Sequence, residues 1–226
     1  MNSCFKGFFR FLIFALPLTS CHVGRYFYWN YATIKDHKKF PSETIYKGED
    51  VFQFEPNSSG TALKVPPQFL QGEKQQTLGE FLEQHKTVAF IVIKNDTILM
   101  EEYFNGYAPE DIINSFSVTK SFVSALVGIA IEEGLIRSAD QPITDFLPEL
   151  AKNDPRFGKI TLDHLLNMRS GLKFNEGYAN PFADMAKYYY GTNLKKYITQ
   201  LKIERQPNEA YNYISANTQL LGMALE

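Results

Sequence analysis

The chain has 226 residues, 44% of them hydrophobic, with 23 Lys and Arg against 25 Asp and Glu, for a formal net charge of −2. That length and apolar content suffice for one sizeable core and exclude a disordered chain, and the slightly acidic balance excludes the basic surface on which nucleic-acid binding relies. His22, His37 and His85 stand at no metal-ligand spacing from a cysteine or carboxylate, so neither a metal nor any other cofactor is expected.

Residues 1 to 20 carry Lys6 and Arg10, then a mostly apolar stretch over residues 11 to 18, then small polar residues. This is the pattern of a secretory signal, too short for a membrane span. Leu18-Thr19-Ser20-Cys21 resembles the bacterial lipobox. The resemblance implies an acylated Cys21, a membrane partner through that lipid, and a lipoprotein facing the periplasm or cell exterior. Cys4 is the only other cysteine and falls in the signal, so no internal disulfide is expected.

Residues 22 to 76 begin with aromatics, then turn to Lys, Pro, Gly and Ser without a sustained period, and read as a tether and wrapping segment reaching to residue 86. Within it Leu78, Phe81, Leu82 and His85 fall at helical spacing behind a possible N-cap, Thr77. From residue 88 to 103 an apolar run, a Lys94-Asn95-Asp96 tip and a second run read as a β-hairpin. Its first arm is apolar on both faces, which places it inside a sheet covered by helices.

Ser117-Val-Thr-Lys120 follows, heading the apolar run over residues 122 to 131, with Gly134 as the stop. Residues three apart share a helix face, so the Lys120 amine can stand beside the Ser117 hydroxyl. A lysine of ordinary pKa, about 10.4, accepts that proton only if burial or a nearby cation lowers it, and the apolar helix is expected to supply the burial. The same tetrapeptide spacing recurs at Ser3/Lys6, inside the signal, and at Ser170/Lys173, where Gly171 breaks helix. Only Ser117 opens a long apolar helix.

Further along, Pro142 and Pro148 bracket a turn-like link, and Thr161 caps a helix facing Leu162, Leu165 and Leu166 inward, with Gly171 as its end. His164 reads as a partner in a local hydrogen bond. Residues 185 to 201 read as a helix interrupted at Gly191, with the basic and aromatic run from 187 to 196 as a solvated face with one packed side. Residues 216 to 225 begin a last helix.

Three segments in this order resemble the serine β-lactamase and penicillin-binding-protein superfamily on its class C side: Ser117-Val-Thr-Lys-Ser-Phe, Ile160-Thr-Leu-Asp-His-Leu-Leu-Asn-Met-Arg-Ser-Gly-Leu, and Tyr213-Ile-Ser-Ala-Asn-Thr-Gln-Leu-Leu-Gly. The resemblance implies an α/β fold, an antiparallel sheet flanked by helices with a helical subdomain, over residues 87 to 226. It also implies a serine hydrolase that cleaves an amide or ester through an acyl-enzyme on Ser117, with Lys120 as base and Tyr213 assisting the leaving group. Ser215 stands where the family's Tyr-x-Asn element has its asparagine. Tyr178-Ala179-Asn180 is a literal Tyr-x-Asn and competes with Tyr213, or else supplies a substrate-side residue on a loop. No Lys-Thr-Gly or His-x-Gly triplet follows Tyr213, so the C-terminal strands and one oxyanion-hole donor are expected to be lacking, which would leave the hairpin from residue 88 with an unpaired edge and an exposed apolar face. The alternative is a lipid-anchored, non-catalytic remnant or binding protein of the same fold.

Overall fold

The computed structural model describes residues 21–29, 31–56, 69–71 and 74–226; residues 1 to 20, read as a signal from the sequence, lie outside them. In chain order the elements are α1 (His22–Trp29), β1 (Glu55–Pro56), β2 (Phe69–Gln71), β3 (Lys74–Gln76), α2 (Leu78–Gln84), β4 (Ala89–Lys94), β5 (Thr97–Tyr103), α3 (Thr119–Glu132), α4 (Glu149–Asn153), α5 (Leu162–Leu166), β6 (Leu172–Lys173), α6 (Asp184–Tyr190), α7 (Leu194–Ile198), β7 (Lys202–Ile203) and α8 (Ser215–Ala224). They form two compact units. One takes the described residues up to Asp36 together with Asn114–Glu226; the other is His37–Ile113.

In the second unit Thr77 caps α2 as the sequence suggests: its hydroxyl accepts from the Glu80 N–H while Glu80 receives the Thr77 N–H, a capping box. The hairpin β4–β5 turns at Asn95 and Asp96, both at positive φ (50° and 59°), the geometry of a two-residue I′ turn. β1 runs parallel to β5, giving the order β1-β5-β4. Among the described strands β4 is therefore an edge, and its Ile91 and Ile93 are exposed, the unpaired edge and apolar face expected where the further strands are lacking.

The first unit holds the main core. Val127, Ile143, Leu150, Phe157, Ile160, Leu162, Leu165, Leu172, Ile198, Ile214 and Leu220 are all buried in one cluster. Each such side chain contributes about 1.5–3 kcal/mol of burial. The α3 helix ends as expected, with Gly134 at φ 75° and the Leu135 N–H returning to the Ala130 carbonyl. It is not a rod buried all round, however. Val123, Val127, Ala130 and Ile131 face the core, whereas Phe122 is 65% and Leu126 51% exposed.

Two further expectations change. Residues 22 to 29, read as part of an aperiodic tether, form α1, because Tyr26 is buried edge-on against Tyr190 of α6 and the Arg25 guanidinium donates to the Tyr190 carbonyl. Gly171 does not end α5, which stops at Leu166 with Asn167 as C-cap. It sits instead at φ 73° where its carbonyl receives the Glu204 and Arg205 N–H groups, and a Cβ there would run into the Arg205 carbonyl. The interruption at Gly191 is real, separating α6 from α7, whose N-terminus Asn193 caps.

Candidate active site

Ser117 lies in the single 3-10 turn Phe116–Val118 that leads into α3. Phe116, directly before it, is left-handed at φ 45°. A non-glycine residue held there costs about 1–3 kcal/mol, and such strain collects at functional sites. Three residues on, the Lys120 Nζ is 3.1 Å from the Ser117 Oγ. The i, i+3 relation thus survives the change from α to 3-10 winding. Lys120 is half-buried, and the deep burial expected for it is not found because the helix exposes an apolar stripe beside it.

From the far end of the chain, the Tyr213 hydroxyl donates to the same Ser117 Oγ at 2.9 Å. The Lys120 amine also stands 5.2 Å from the Tyr213 ring centroid, a cation–π distance when the amine is charged. What holds Tyr213 is its neighbour: Ile214 is buried, and α8 sinks Ala216, Asn217, Leu220 and Leu221 into the core. The Asn212 N–H donates to the Met168 carbonyl at 2.8 Å, fixing the strand-like approach. Three side chains named from the sequence therefore meet at one oxygen.

The competing serine is occupied elsewhere. Ser170 is buried and its hydroxyl donates to the Asn217 Oδ1 at 2.5 Å, while Lys173 is exposed on β6. His164 serves as the local partner expected, its Nδ1 accepting the Thr161 N–H. Among the described residues no group of three or more His, Cys, Asp or Glu could hold a metal ion.

Ser117 and Lys120 open onto a cavity of about 660 Å³ lined also by Tyr31, Tyr178, Met185, Tyr189, Tyr190 and Ser215. Tyr178 and Ser215 are joined by a residue the sequence reading did not single out, Glu176. Its Oε1 accepts the Tyr178 hydroxyl at 2.9 Å and the Ser215 hydroxyl at 2.5 Å, and its Oε2 accepts the Ser215 N–H at 2.9 Å. A carboxylate at the first turn of α8 also complements the helix dipole. Burial, then the bond to Glu176, pushes the Tyr178 phenol up to about 12.

Residues 187 to 196, read as a solvated face with one packed side, expose Lys195 and Lys196 while Tyr190 is buried. Tyr189 and Tyr190 line the cavity, and the Tyr189 hydroxyl donates at 2.6 Å to Asp36, a buried carboxylate that also accepts the Thr33 hydroxyl at 2.7 Å. Burial first, then Asp36, raises both phenols, that of Tyr190 to about 12. Three successive tyrosines, Tyr188 to Tyr190, were the available signal; the partner Asp36 lies 153 positions away and left none.

Residues 75–226 match the family model described as Beta-lactamase. The 6-aminohexanoate-dimer hydrolase of Paenarthrobacter ureafaciens is 30% identical over 160 residues, which are 66% of this chain and 40% of that protein. Among solved structures, one from Bacillus anthracis named "Putative 6-aminohexanoate-dimer hydrolase" superposes with a TM-score of 0.58 at 26% identity, covering 67% of this chain and 42% of its own. The chain thus spans about two fifths of the length of these relatives.

Proposed function

Because the chain belongs to the beta-lactamase family, whose members are serine hydrolases, we propose that it cleaves an amide or ester through an acyl-enzyme on Ser117. The observation that carries this reading is the Ser117 Oγ flanked by the Lys120 Nζ at 3.1 Å and the Tyr213 hydroxyl at 2.9 Å. The Lys120 amine is the base in this reading and takes the serine proton as Oγ bonds to the substrate carbonyl carbon. The carbonyl π electrons move to oxygen, where the Ser117 N–H supplies one donor. Collapse of the tetrahedral intermediate breaks the C–N or C–O bond, and the leaving group takes a proton through Tyr213, resupplied from Lys120. Water then attacks the acyl carbon by the same route in reverse and frees Ser117.

The cavity wall of Tyr31, Met185, Tyr189 and Tyr190 suits an apolar chain on the substrate. The name of the relative 6-aminohexanoate-dimer hydrolase fits a short aliphatic amide of that kind. A fluorophosphonate probe is the direct test. Mass spectrometry should find the adduct on the peptide containing Ser117, and a Ser117→Ala protein labelled as fast as the wild type would overturn the assignment.

We also propose that Cys21, an exposed free thiol, carries a lipid that tethers the protein outside a bacterial membrane. Metabolic labelling with an alkynyl fatty acid should mark the protein and should disappear in Cys21→Ser. No described helix is long and apolar enough to cross a membrane.

One observation favours a second reading, a non-catalytic binding protein of the same fold. Val118, Phe122, Leu126 and Ile129 lie exposed along one stripe beside the candidate nucleophile, a face that weakens the exclusion of water an acyl-enzyme site needs. Multiple turnover of a neutral nitrophenyl ester by the purified chain would eliminate this reading.

A further inference from the structure

Glu176 accepts two hydroxyl protons at once, and this decides what the cavity wall has left to offer a substrate. The Ser215 and Tyr178 hydroxyls both donate to its Oε1, and both residues line the cavity. A serine or tyrosine hydroxyl has one proton. With that proton committed to a carboxylate, the remaining capacity of each oxygen is as an acceptor. The Ser215 N–H is committed as well, to Oε2. Ser215 therefore cannot do what an amide side chain at its position could, which is to donate to a carbonyl.

The charge acts in the same direction. No Lys, Arg or His among the described residues forms an ion pair with Glu176; its oxygens are met by hydrogen bonds alone. Glu176 is also half-buried, so its field is screened less than that of a surface carboxylate. An incoming carboxylate would meet both a like charge and two oxygens without free protons. An ammonium or amide N–H would meet acceptors and an attractive field.

From this geometry we infer that Glu176 is a specificity-determining residue, which turns the Ser215–Tyr178 wall into an acceptor surface for an N–H-bearing or ammonium-bearing substrate and against an anionic one. This rests on the cavity being the substrate pocket of the proposed hydrolase, but its test does not require catalysis. Ligand binding is measured by calorimetry on the full chain carrying Ser117→Ala, with n-hexylammonium and hexanoate, which differ at the charged end. Hexylammonium should bind about tenfold more tightly, the difference expected for one charge-assisted hydrogen bond. In the added background of Glu176→Gln the two affinities should converge to within about twofold, since the amide both removes the charge and releases hydroxyl protons. Tyr178→Phe, at an exposed side chain, provides a variant free of folding risk and should weaken hexylammonium alone, about threefold for the loss of one acceptor.

Equal affinities in the Glu176-containing protein, binding of neither ligand, or a preference unchanged by Glu176→Gln would each overturn the inference. Failure of Ser117 to react with a fluorophosphonate would sink the hydrolase reading and leave these binding results standing.

Discussion

The Tyr213 hydroxyl reaches the Ser117 Oγ at 2.9 Å across 96 positions of sequence, and the Lys120 Nζ stands 3.1 Å from the same oxygen. Removing this phenol should test its part in proton transfer without disturbing the core, because Tyr213 is 37% exposed while its neighbour Ile214 does the packing. Tyr213→Phe is expected to slow acylation of Ser117 by about 100-fold. Stopped-flow kinetics with an activated ester measures this, and a thermal melt within about 2 °C of the wild type would confirm that packing is intact.

Ser170 and Asn217 supply a stability prediction separate from the chemistry. Both are buried, and the serine hydroxyl donates to the Asn217 Oδ1 at 2.5 Å. Ser170→Ala leaves that oxygen without its donor and should cost about 1–3 kcal/mol. Urea unfolding at fixed pH should show a lower midpoint with an unchanged slope. The labelled residue should remain Ser117, despite the matching spacing of Ser170 and Lys173.

Gly171 is held at φ 73° with the Arg205 carbonyl where a Cβ would go. Gly171→Ala combines a left-handed alanine with a backbone clash and is expected to destabilise by about 2–4 kcal/mol. Gly134 is also at positive φ, 75°, but nothing lies within 4 Å of its would-be Cβ. Gly134→Ala should therefore cost only the conformational part, about 1 kcal/mol. Parallel unfolding curves compare the two.

Alkaline pH should weaken the fold. The Tyr188, Tyr189 and Tyr190 phenols are all raised from 10.0, with burial the largest cause in each, and that of Tyr190 reaches about 12. Between 10 and 12 the unfolded chain loses these protons while the native protein keeps them, so the native state binds more protons and stability falls as pH rises. The stabilisation is complete below pH 10 and lost progressively as the pH climbs through about 12. Denaturant midpoints from pH 8 to 11.5 should decline above 10. A flat midpoint across that range would contradict the raised values.

Much of the site could be read from local chemistry. Ser117 and Lys120 are neighbours because three residues bring side chains to one face in either an α-helix or a 3-10 turn, whichever the chain adopts. Thr77, Asn95-Asp96, Thr161 and Gly134 act through bonds or backbone angles within a few residues of themselves, so their roles were visible before any fold. Tyr213 needed more than local rules; it came from the resemblance of a whole segment.

Burial and long-range partnership were not legible in that way. An apolar run announces that some surface is to be covered, but not which face meets a neighbour, and so the expectation of an enclosed α3 fails at Phe122 and Leu126, which are exposed. Glu176 and Asp36 carry no spacing signal, since a hydrogen bond between residues 39 or 153 positions apart depends only on where the folded chain returns. The amino-acid order by itself determined the pairing of Ser117, the candidate nucleophile, with the Lys120 amine, because their proximity is a property of one turn of backbone. Only the tertiary structure decided that Tyr213 completes the cluster in space and that a carboxylate sets the hydrogen-bonding sense of the cavity wall, because those distances arise from the packing of α8 and the loop after β6 against one core.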